Sequence, residues 1–135
     1  MEIIDKNLLD SVSAAAKSSE RLRMNHNFHE TLEAPCQRML NALEPGTFVP
    51  IHRHKHTAET YILLRGKLKI FFYNEEKVIV EEEVLDQSHG CYGVHIPAGI
   101  WHSMEVLESG TIIFETKDGP YTRKFNIELQ SQVLV

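Results

Sequence analysis

The spacing of apolar residues separates one predicted helix from a long series of predicted strands. Residues 4–19 carry apolar side chains three or four positions apart, which predicts an amphipathic helix. From residue 21 the spacing becomes two, which predicts a strand over 21–28. The apolar face of that strand is formed by Leu22, Met24, His26 and Phe28. His26 is therefore either a hydrogen-bonded core histidine or a pocket residue.

The rest of the chain alternates short apolar-rich segments with turn residues, roughly every 8–12 positions. Gly, Pro or Asn stands at each reversal, for example in Glu44-Pro45-Gly46 and Pro97-Ala98-Gly99. The predicted strands are 37–44, 47–54, 59–64, 67–73, 77–84, 93–96, 101–107, 111–116 and 122–129. This rhythm predicts an all-β fold, either a sandwich or a small barrel.

Composition is that of an ordinary globular protein. The 135 residues suffice for one domain with a sizeable core, and 42% are hydrophobic and 24% charged. The net charge is -5, and the one basic cluster is the short Arg21-Leu22-Arg23. A nucleic acid partner is therefore not expected, because neutralising several phosphates requires a broader basic surface.

Neither a membrane span nor an export signal is predicted. No stretch reaches the roughly 18 apolar residues that a spanning helix requires. The first residues lack the basic and apolar regions of a signal peptide. Cys36 and Cys91 form no CxxC pair and no disulfide framework, which favours a reducing compartment. We therefore expect a cytoplasmic protein that does not interact with membranes.

The segment 46–66 contains three residues at metal-ligand spacing, His52, His54 and Glu59. Side chains two positions apart on a strand point to the same face, about 6.6 Å apart at their bases. His52 and His54 can therefore reach one ion. The chain then turns, and Glu59 opens the returning strand, where its carboxylate can approach the same ion.

A fourth ligand is available in His102, which follows the turn Pro97-Ala98-Gly99. Three imidazoles and one carboxylate suit one divalent transition metal per chain. Ligand type alone leaves Zn, Fe, Mn, Ni, Co and Cu open. The alternative is that these residues are ordinary polar residues near turns.

Other histidines and aromatic residues are weaker candidates for the site. His56 has the parity of His54 but follows the turn, so it is a ligand, a pocket residue or an exposed turn residue. Tyr61 and Trp101 adjoin the ligand strands and are candidates for a substrate pocket, although such residues more often belong to a core. We expect the remaining histidines to be structural or on the surface: His29, His89 and His95.

The pattern Gly-x5-His-x-His-x4-Glu-x6-Gly, from Gly46 to Gly66, resembles the first motif of the cupin superfamily at every position. Pro97-x-Gly99-x2-His102 resembles the core of the second motif. That motif departs at Cys91, where Gly is expected, and at Val106, where Asn is expected. The resemblance implies a cupin jelly-roll barrel (a double-stranded β-helix) with a short N-terminal helix. It also implies a metal in the mouth of the barrel, held by His52, His54, Glu59 and His102.

A narrower resemblance covers about residues 5–120. Segments 21–27 and 37–47 are similar to the WbuC-type cupin-fold metalloproteins, small bacterial proteins encoded among surface-polysaccharide genes. This likeness implies that four further residues lie near the metal: Asn25, His26, Arg38 and Asn41. An inward Arg38 would bind a carboxylate or phosphate. We expect residues 1–30 to form a helix and strand packed on a barrel of residues 31–135, within a single domain.

Three functions are compatible with such a site. The first is a metalloenzyme that isomerises, epimerises or hydrolyses a small polar substrate, such as a sugar or sugar nucleotide. The second is a non-haem iron dioxygenase of the cupin type. The third is a non-catalytic sensor or carbohydrate-binding protein, in which the metal is structural or recruits the ligand.

A small-molecule ligand and a second copy of the chain are the expected partners. The amphipathic helix 4–19 and an edge strand near 21–28 are plausible surfaces for a homodimer. The apolar C-terminus, Val133-Leu134-Val135, is a further candidate for docking on a partner.

Overall fold

The computed structural model describes residues 1–121 and, for the backbone alone, residues 128–129. One helix, α1, spans Lys6–Ser18, and a short 3-10 helix spans Gln87–His89. The strands are β1 Arg23–Asn27, β2 Cys36–Leu43, β3 His52–Arg53, β4 Glu59–Arg65, β5 Leu68–Tyr73, β6 Ile79–Leu85, β7 Gly93–Ile96, β8 Trp101–Val106, β9 Thr111–Asp118 and β10 Glu128–Leu129.

Helix α1 begins at a side-chain cap and covers the outside of a sheet. Asp5 accepts a hydrogen bond from the backbone N–H of Leu8 at 2.9 Å, which satisfies one of the free donors of the first turn. The apolar face buries Val12 and Ala16 against a small cluster on β2 and β9, formed by Leu40, Ala42 and Ile112. The helix is therefore held by its apolar face, as the predicted amphipathic pattern requires.

The ten strands form two five-stranded antiparallel sheets. The first sheet has the order β1-β2-β9-β4-β7, and the second has the order β10-β3-β8-β5-β6. Neighbouring strands in each sheet are mostly distant in sequence, as in a jelly roll. The main core lies between the two sheets and includes Leu63, Ile70, Leu85 and Ile113.

Most predicted strands are confirmed to within about two residues, but the prediction for 47–54 is wrong. Only His52–Arg53 forms a strand there. Gly46 has a positive φ of 95°, and the N–H of Thr47 closes a turn on the carbonyl of Glu44. Pro50 has no N–H to donate to a ladder, so the irregular backbone continues up to His52.

The predicted strand 122–129 lies mostly outside the described residues. Its last two positions, Glu128–Leu129, pair with Arg53 and His52. The apolar terminus 133–135 also lies outside the described part. In the residues that are described, no helix is both long enough and apolar enough to span a membrane.

Candidate metal centre

Four side chains from both sheets meet at one end of the interior. His52 on β3 and His102 on β8 are direct partners in the second sheet, and His54 follows β3 by one residue. Glu59 is the first residue of β4 in the first sheet. One ligand atom from each of the four lies within 4.8 Å of the others, so the four predicted residues form a cluster that could hold a metal ion.

The cluster is compact and buried. Glu59 Oε1 lies 2.8 Å from His102 Nε2, and Glu59 Oε2 lies 3.2 Å from His54 Nε2. The ring centroids of His52 and His102 are 4.3 Å apart. Glu59 is 2% exposed and His102 is 1% exposed, while His52 is half-buried. The half-buried His52 marks the side from which the site is reached.

Backbone carbonyls fix the orientation of two imidazoles. His52 Nδ1 lies 2.8 Å from the carbonyl oxygen of Pro50, and His102 Nδ1 lies 2.9 Å from that of Ile100. A carbonyl only accepts, so both Nδ1 atoms carry the proton, and in the neutral imidazoles each Nε2 keeps a free lone pair; that of His102 lies 2.8 Å from Glu59 Oε1. This is the arrangement that supports histidine ligands in metal sites.

Two buried atoms of the cluster lack hydrogen bonds. Within the described residues, His102 Nε2 and Glu59 Oε2 have no hydrogen-bond partner. With His102 neutral, its short approach to Glu59 does not supply one, since the unprotonated Nε2 then points its lone pair at an acceptor. Unpaired buried polar atoms are costly, and a cation among them would satisfy both. The residues present therefore fit a divalent metal ion.

The electrostatics favour the ligating protonation states. Burial, reinforced by neighbouring His102, lowers the pKa of His52 to about 3, so its imidazole is neutral at physiological pH. Burial alone would raise the pKa of Glu59, but in the metal-free cluster hydrogen bonds and positive charge from His102 and His54 hold it well below its usual range, and a bound cation would supply that charge instead. A neutral imidazole and an ionised carboxylate are the forms that bind metals.

The two sequence motifs are joined directly by backbone contacts. The N–H of Gly99 donates to the carbonyl of His54 at 2.8 Å, which ties the turn before His102 to the segment that carries two other ligands. Gly99 has a positive φ of 86°, a conformation that glycine adopts at little cost. Both motifs therefore contribute to one preformed site.

A half-open cavity of about 530 Å³ lies beside the cluster. It follows the inner face of the first sheet, and His52, His54 and Glu59 form part of its wall. Its volume is within the range of small-molecule sites.

Cross-strand pairs on the inner face of the first sheet form successive rows. The row at the metal end contains Gln37, Lys117 and Glu59, and the next contains Met39, Glu115 and Tyr61. Asn41 belongs to the third row, with Ile113 and Leu63. Polar side chains thus give way to apolar ones along the strands.

Two hydrogen bonds order the polar side chains of this wall, and one of them reaches the cluster. Tyr61 Oη donates to Glu59 Oε1 at 2.6 Å. Asn41 Nδ2 donates to Glu115 Oε1 at 2.8 Å. Burial raises the pKa of Glu115 to about 8, and the charge of Glu59 adds to that shift. Burial and the same carboxylates also raise the pKa of Tyr61.

Three residues predicted near the site line the cavity. They are Asn25, Asn41 and Tyr61. Asn25 stands opposite Asn41 in the β1–β2 pair, and its Nδ2 contacts Met39 Sδ at 3.8 Å. Tyr61 is buried and contacts the cluster directly.

The expectation that Arg38 and His26 lie near the metal is wrong. Arg38 is three positions from Asn41 on β2, so its side chain projects from the opposite face, where it is exposed. His26 alternates in the same way with Asn25. It lies on the outer face of β1 against Phe28, with Nε2 2.7 Å from Glu2 Oε2.

Trp101 and His56 also lie outside the cavity. Trp101 precedes the inward-facing His102, so it faces outward, where the guanidinium of Arg53 and the ammonium of Lys77 lie 4.5 and 4.1 Å from its rings. Its Nε1 donates to Glu75 at 3.3 Å. His56 is exposed in the turn between β3 and β4, one of the alternatives left open for it.

Sequence reasoning missed the buried titratable residues His29, Glu115 and Lys117 in the cavity wall. Glu115 and Lys117 share the inward parity of Ile113 on β9, and this alternation was a signal that could have identified them. His29 is buried and its Nδ1 lies 3.0 Å from the backbone of Arg38, which agrees with a structural role, but its ring also borders the cavity.

One family model matches residues 4–85, which is more than half of the chain, and is described as a domain of unknown function (DUF6016). The chain belongs to the DUF6016 family. The matched region includes His52, His54 and Glu59 and ends before His102. A search of curated protein sequences found no match to this DUF6016 chain.

Solved structures with similar folds include three proteins of different kinds. Oxalate decarboxylase from Bacillus subtilis is 18% identical, with a TM-score of 0.59 over 79% of this chain and 27% of the other. The capsular polysaccharide assembling protein CapF from Staphylococcus aureus is 19% identical, with a TM-score of 0.65 over 82% and 30%. Procruciferin, an 11S globulin from Brassica napus, is 12% identical, with a TM-score of 0.57 over 70% and 23%.

These similarities confirm the predicted fold. The DUF6016 chain is a mostly β protein with a cupin jelly-roll fold and one short helix. It spans less than a third of the length of each of these three structures. At such low identity the likeness concerns the fold alone.

Proposed function

We propose that the chain is a metal-dependent enzyme that acts on a small polar molecule such as a sugar or sugar nucleotide. The observation that carries this proposal is the cluster of His52, His54, Glu59 and His102 at the wall of a cavity of about 530 Å³. We assign these four residues as the ligands of one divalent transition metal. When bound, such an ion supplies Lewis-acid chemistry, which suits isomerisation, epimerisation or hydrolysis.

The protein's own groups would position the substrate and handle its protons. Asn25 and Asn41 line the cavity and offer amide groups for hydroxyls. Glu115, buried and held protonated by its environment, is placed to exchange a proton with a substrate lying along the same wall. Tyr61 holds Glu59 Oε1 and thereby orients the carboxylate.

We further propose that the chain is a WbuC-type protein of bacterial surface-polysaccharide metabolism, located in the cytoplasm. The motifs in segments 21–27 and 37–47 support this proposal. The fold similarity to CapF, described as a capsular polysaccharide assembling protein, is consistent with it.

We also propose that the chain is a single domain that pairs as a homodimer. The edge position of β1 in the first sheet supports this, because an edge strand offers unpaired backbone groups to a second copy. Light scattering at micromolar concentration should give twice the chain mass of 15.5 kDa. A mass of one chain would contradict the pairing.

Elemental analysis of protein purified without added metal tests the metal centre. We expect about one transition metal ion per chain and almost none in the His52→Ala/His54→Ala variant. His56→Ala is the matched control, because His56 is a neighbouring but exposed histidine, and it should retain the metal. Undiminished metal in the double variant, with a normal melting curve, would overturn the ligand assignment.

The nature of the metal and its chemistry decides among the three functions. Predominant iron together with substrate-dependent O₂ consumption would favour the cupin dioxygenase instead. Turnover of sugars or sugar nucleotides without O₂ consumption would support the Lewis-acid enzyme. Binding of such a ligand without turnover in the metal-loaded protein would favour the non-catalytic sensor.

A further inference from the structure

The side chain of Lys117 is buried in the cavity wall, and within the part of the chain that the structure describes no carboxylate forms a close ion pair with it. Lys117 is 8% exposed, and its Nζ lies 5.1 Å from the ring centroid of Tyr121. Among the described residues it has no hydrogen bond and no ion pair. Burying an ammonium group without a close anionic partner costs free energy. A bound anionic ligand would offset this cost.

The neighbouring side chains do not neutralise this charge. Gln37, the cross-strand partner on β2, donates its amide to the carbonyls of Leu32 and Ala34 at 3.2 and 2.9 Å. Glu59, the partner on β4, is engaged with His102, His54 and Tyr61. Glu115, two positions away on the same face, interacts with the charge of Lys117 but forms no hydrogen bond or ion pair with it, and it accepts a hydrogen bond from Asn41 Nδ2 at 2.8 Å. The ammonium group is therefore available to a molecule in the cavity.

A second unpartnered group belongs to the same row. Extending the β1–β2 register by two residues places His29 opposite Gln37, so that His29, Gln37, Lys117 and Glu59 follow one another across the sheet. His29 is 6% exposed, and its Nε2 is buried without a hydrogen-bond partner in the described structure. Adjacent strands are about 4.8 Å apart, so Lys117 lies one strand from the metal cluster and two from His29.

We propose that the cavity recognises a small acidic molecule whose carboxylate or phosphate binds Lys117, with His29 as a second contact, while another oxygen of the molecule faces the metal centre. The contact between the second oxygen and the metal centre rests on the proposed function, whereas the contact between the anion and Lys117 does not. The one-strand separation fits a molecule of monosaccharide size, such as a sugar acid or a sugar phosphate. Charge also favours an anion, since Arg21 and Arg23 line the same cavity.

Glucose and two of its negatively charged derivatives test whether the cavity prefers an anion. Calorimetry measures the binding of D-glucose, D-glucuronate and glucose 6-phosphate to the metal-loaded protein. Thermal shift assays with acetate and inorganic phosphate test the anion contact alone, because these ions have no sugar ring. We expect at least one sugar anion to bind about tenfold or more tightly than glucose, because a charge-assisted hydrogen bond to the buried ammonium group is stronger than a neutral one. A preference for glucuronate would identify a carboxylate ligand, and one for glucose 6-phosphate a phosphate ligand.

Lys117→Gln should remove this preference, and Lys117→Arg should largely retain it. Without ligand, Lys117→Gln should melt about 2–5 °C higher than the wild type, because an unpaired buried charge is removed. This readout also confirms that the variant folds. Lys69→Gln, an outward lysine on β5 paired with Glu82, is the matched control and should behave as wild type.

Equal binding of the neutral and acidic sugars together with no response to acetate or phosphate, or an undiminished preference in Lys117→Gln, would overturn the proposal. Metal content is measured on the same samples, because Lys117 is not a ligand and its variants should keep the metal. If the wild type carries no metal, the proposed function fails, and the Lys117-dependent response to inorganic phosphate still decides the anion site.

Discussion

The inner face of the first sheet differs sharply between its two ends, although β2, β9 and β4 supply both. At the metal end the inward residues are Gln37, Lys117 and Glu59, while two rows further along they include Ile113 and Leu63. Both ends are buried. Leu63 and Ile113 pack in the main core, although Ile113 and its row neighbour Asn41 also reach the cavity of about 530 Å³ that the residues at the metal end surround.

This contrast separates stability from function along the length of the same strands. The apolar end gains free energy from burial and close packing. The polar end retains buried charges and unpaired atoms, which cost free energy in the isolated chain. We therefore expect substitutions at the two ends to affect different properties, stability at one and ligand binding at the other.

Leu63→Ala should give the largest loss of stability. Leu63 is fully buried in the main core, and its truncation leaves a cavity, so we expect a decrease of about 3 kcal/mol in the free energy of unfolding. Metal content of the folded protein should not change. Ile62→Ala, the adjacent exposed residue, is the control and should cost less than about 1 kcal/mol. Chemical denaturation measures both, and equal effects would contradict the assignment of this end as the core.

Glu115 should make the metal-free protein less stable as pH rises. Its pKa is raised from 4.5 to about 8 in the folded state, so between these values the folded chain holds a proton that the unfolded chain releases. The contribution of this group to the free energy of unfolding is therefore largest below pH 4.5 and is lost as the pH rises to about 8, by an amount on the order of 5 kcal/mol.

Glu115→Gln should flatten this pH dependence in denaturation curves recorded from pH 5 to pH 8, whereas Glu83→Gln on the exposed strand β6 should not. Metal loading should also flatten it, because an ion offsets the charge of Glu59 that helps to raise the pKa of Glu115. A Glu115→Gln profile that matches the wild type would show that this carboxyl titrates normally.

Tyr61→Phe should weaken metal binding without unfolding the chain. The variant loses the 2.6 Å hydrogen bond to Glu59 Oε1, and the loss of such a support to a ligand costs about 10-fold or more in metal affinity. Competition with a chelator measures the effect. Tyr73→Phe removes a similar bond to Ser103 Oγ on the outer face of the second sheet and should leave the metal affinity unchanged. Equal affinities in the two variants would argue against a role for Tyr61.

Arg38→Ala should have the smallest effect. Arg38 is exposed on the outer face of the first sheet, so we expect a change within about 0.5 kcal/mol in stability and none in metal or ligand binding. Asn41→Ala, from the inward face of the same strand, should disturb the bond to Glu115 and alter ligand binding. A loss of ligand affinity in Arg38→Ala would contradict the placement of this residue.

The four clustered residues were predictable because their spacing is local or belongs to short motifs. His52, His54 and Glu59 lie within one strand–turn–strand unit, and His102 follows a Pro-x-Gly turn. The fold followed from the strand rhythm and the same motifs. The failure at 47–51 has a local cause, since Pro50 cannot pair and the alternation of apolar residues there is not used by a sheet.

The remainder of the site depends on pairing between distant strands. Lys117 reaches the metal end because β9 lies between β2 and β4, an order that no local pattern reveals. The resemblance that grouped Arg38 with Asn41, and His26 with Asn25, did not take account of strand geometry. Residues one or three positions apart on a strand point to opposite faces, so only one member of each pair could face the cavity.

The link between His54 and Gly99 places ligands from two separate motifs, and from both sheets, around one point. An ion at that point would cross-link the two sheets at the end of the interior that is lined by polar side chains. Removal of the ion by a chelator should then loosen this end first, with faster amide hydrogen exchange near His54 and Gly99 than near Leu63. A bound metal would thus stabilise this end of the barrel against local opening.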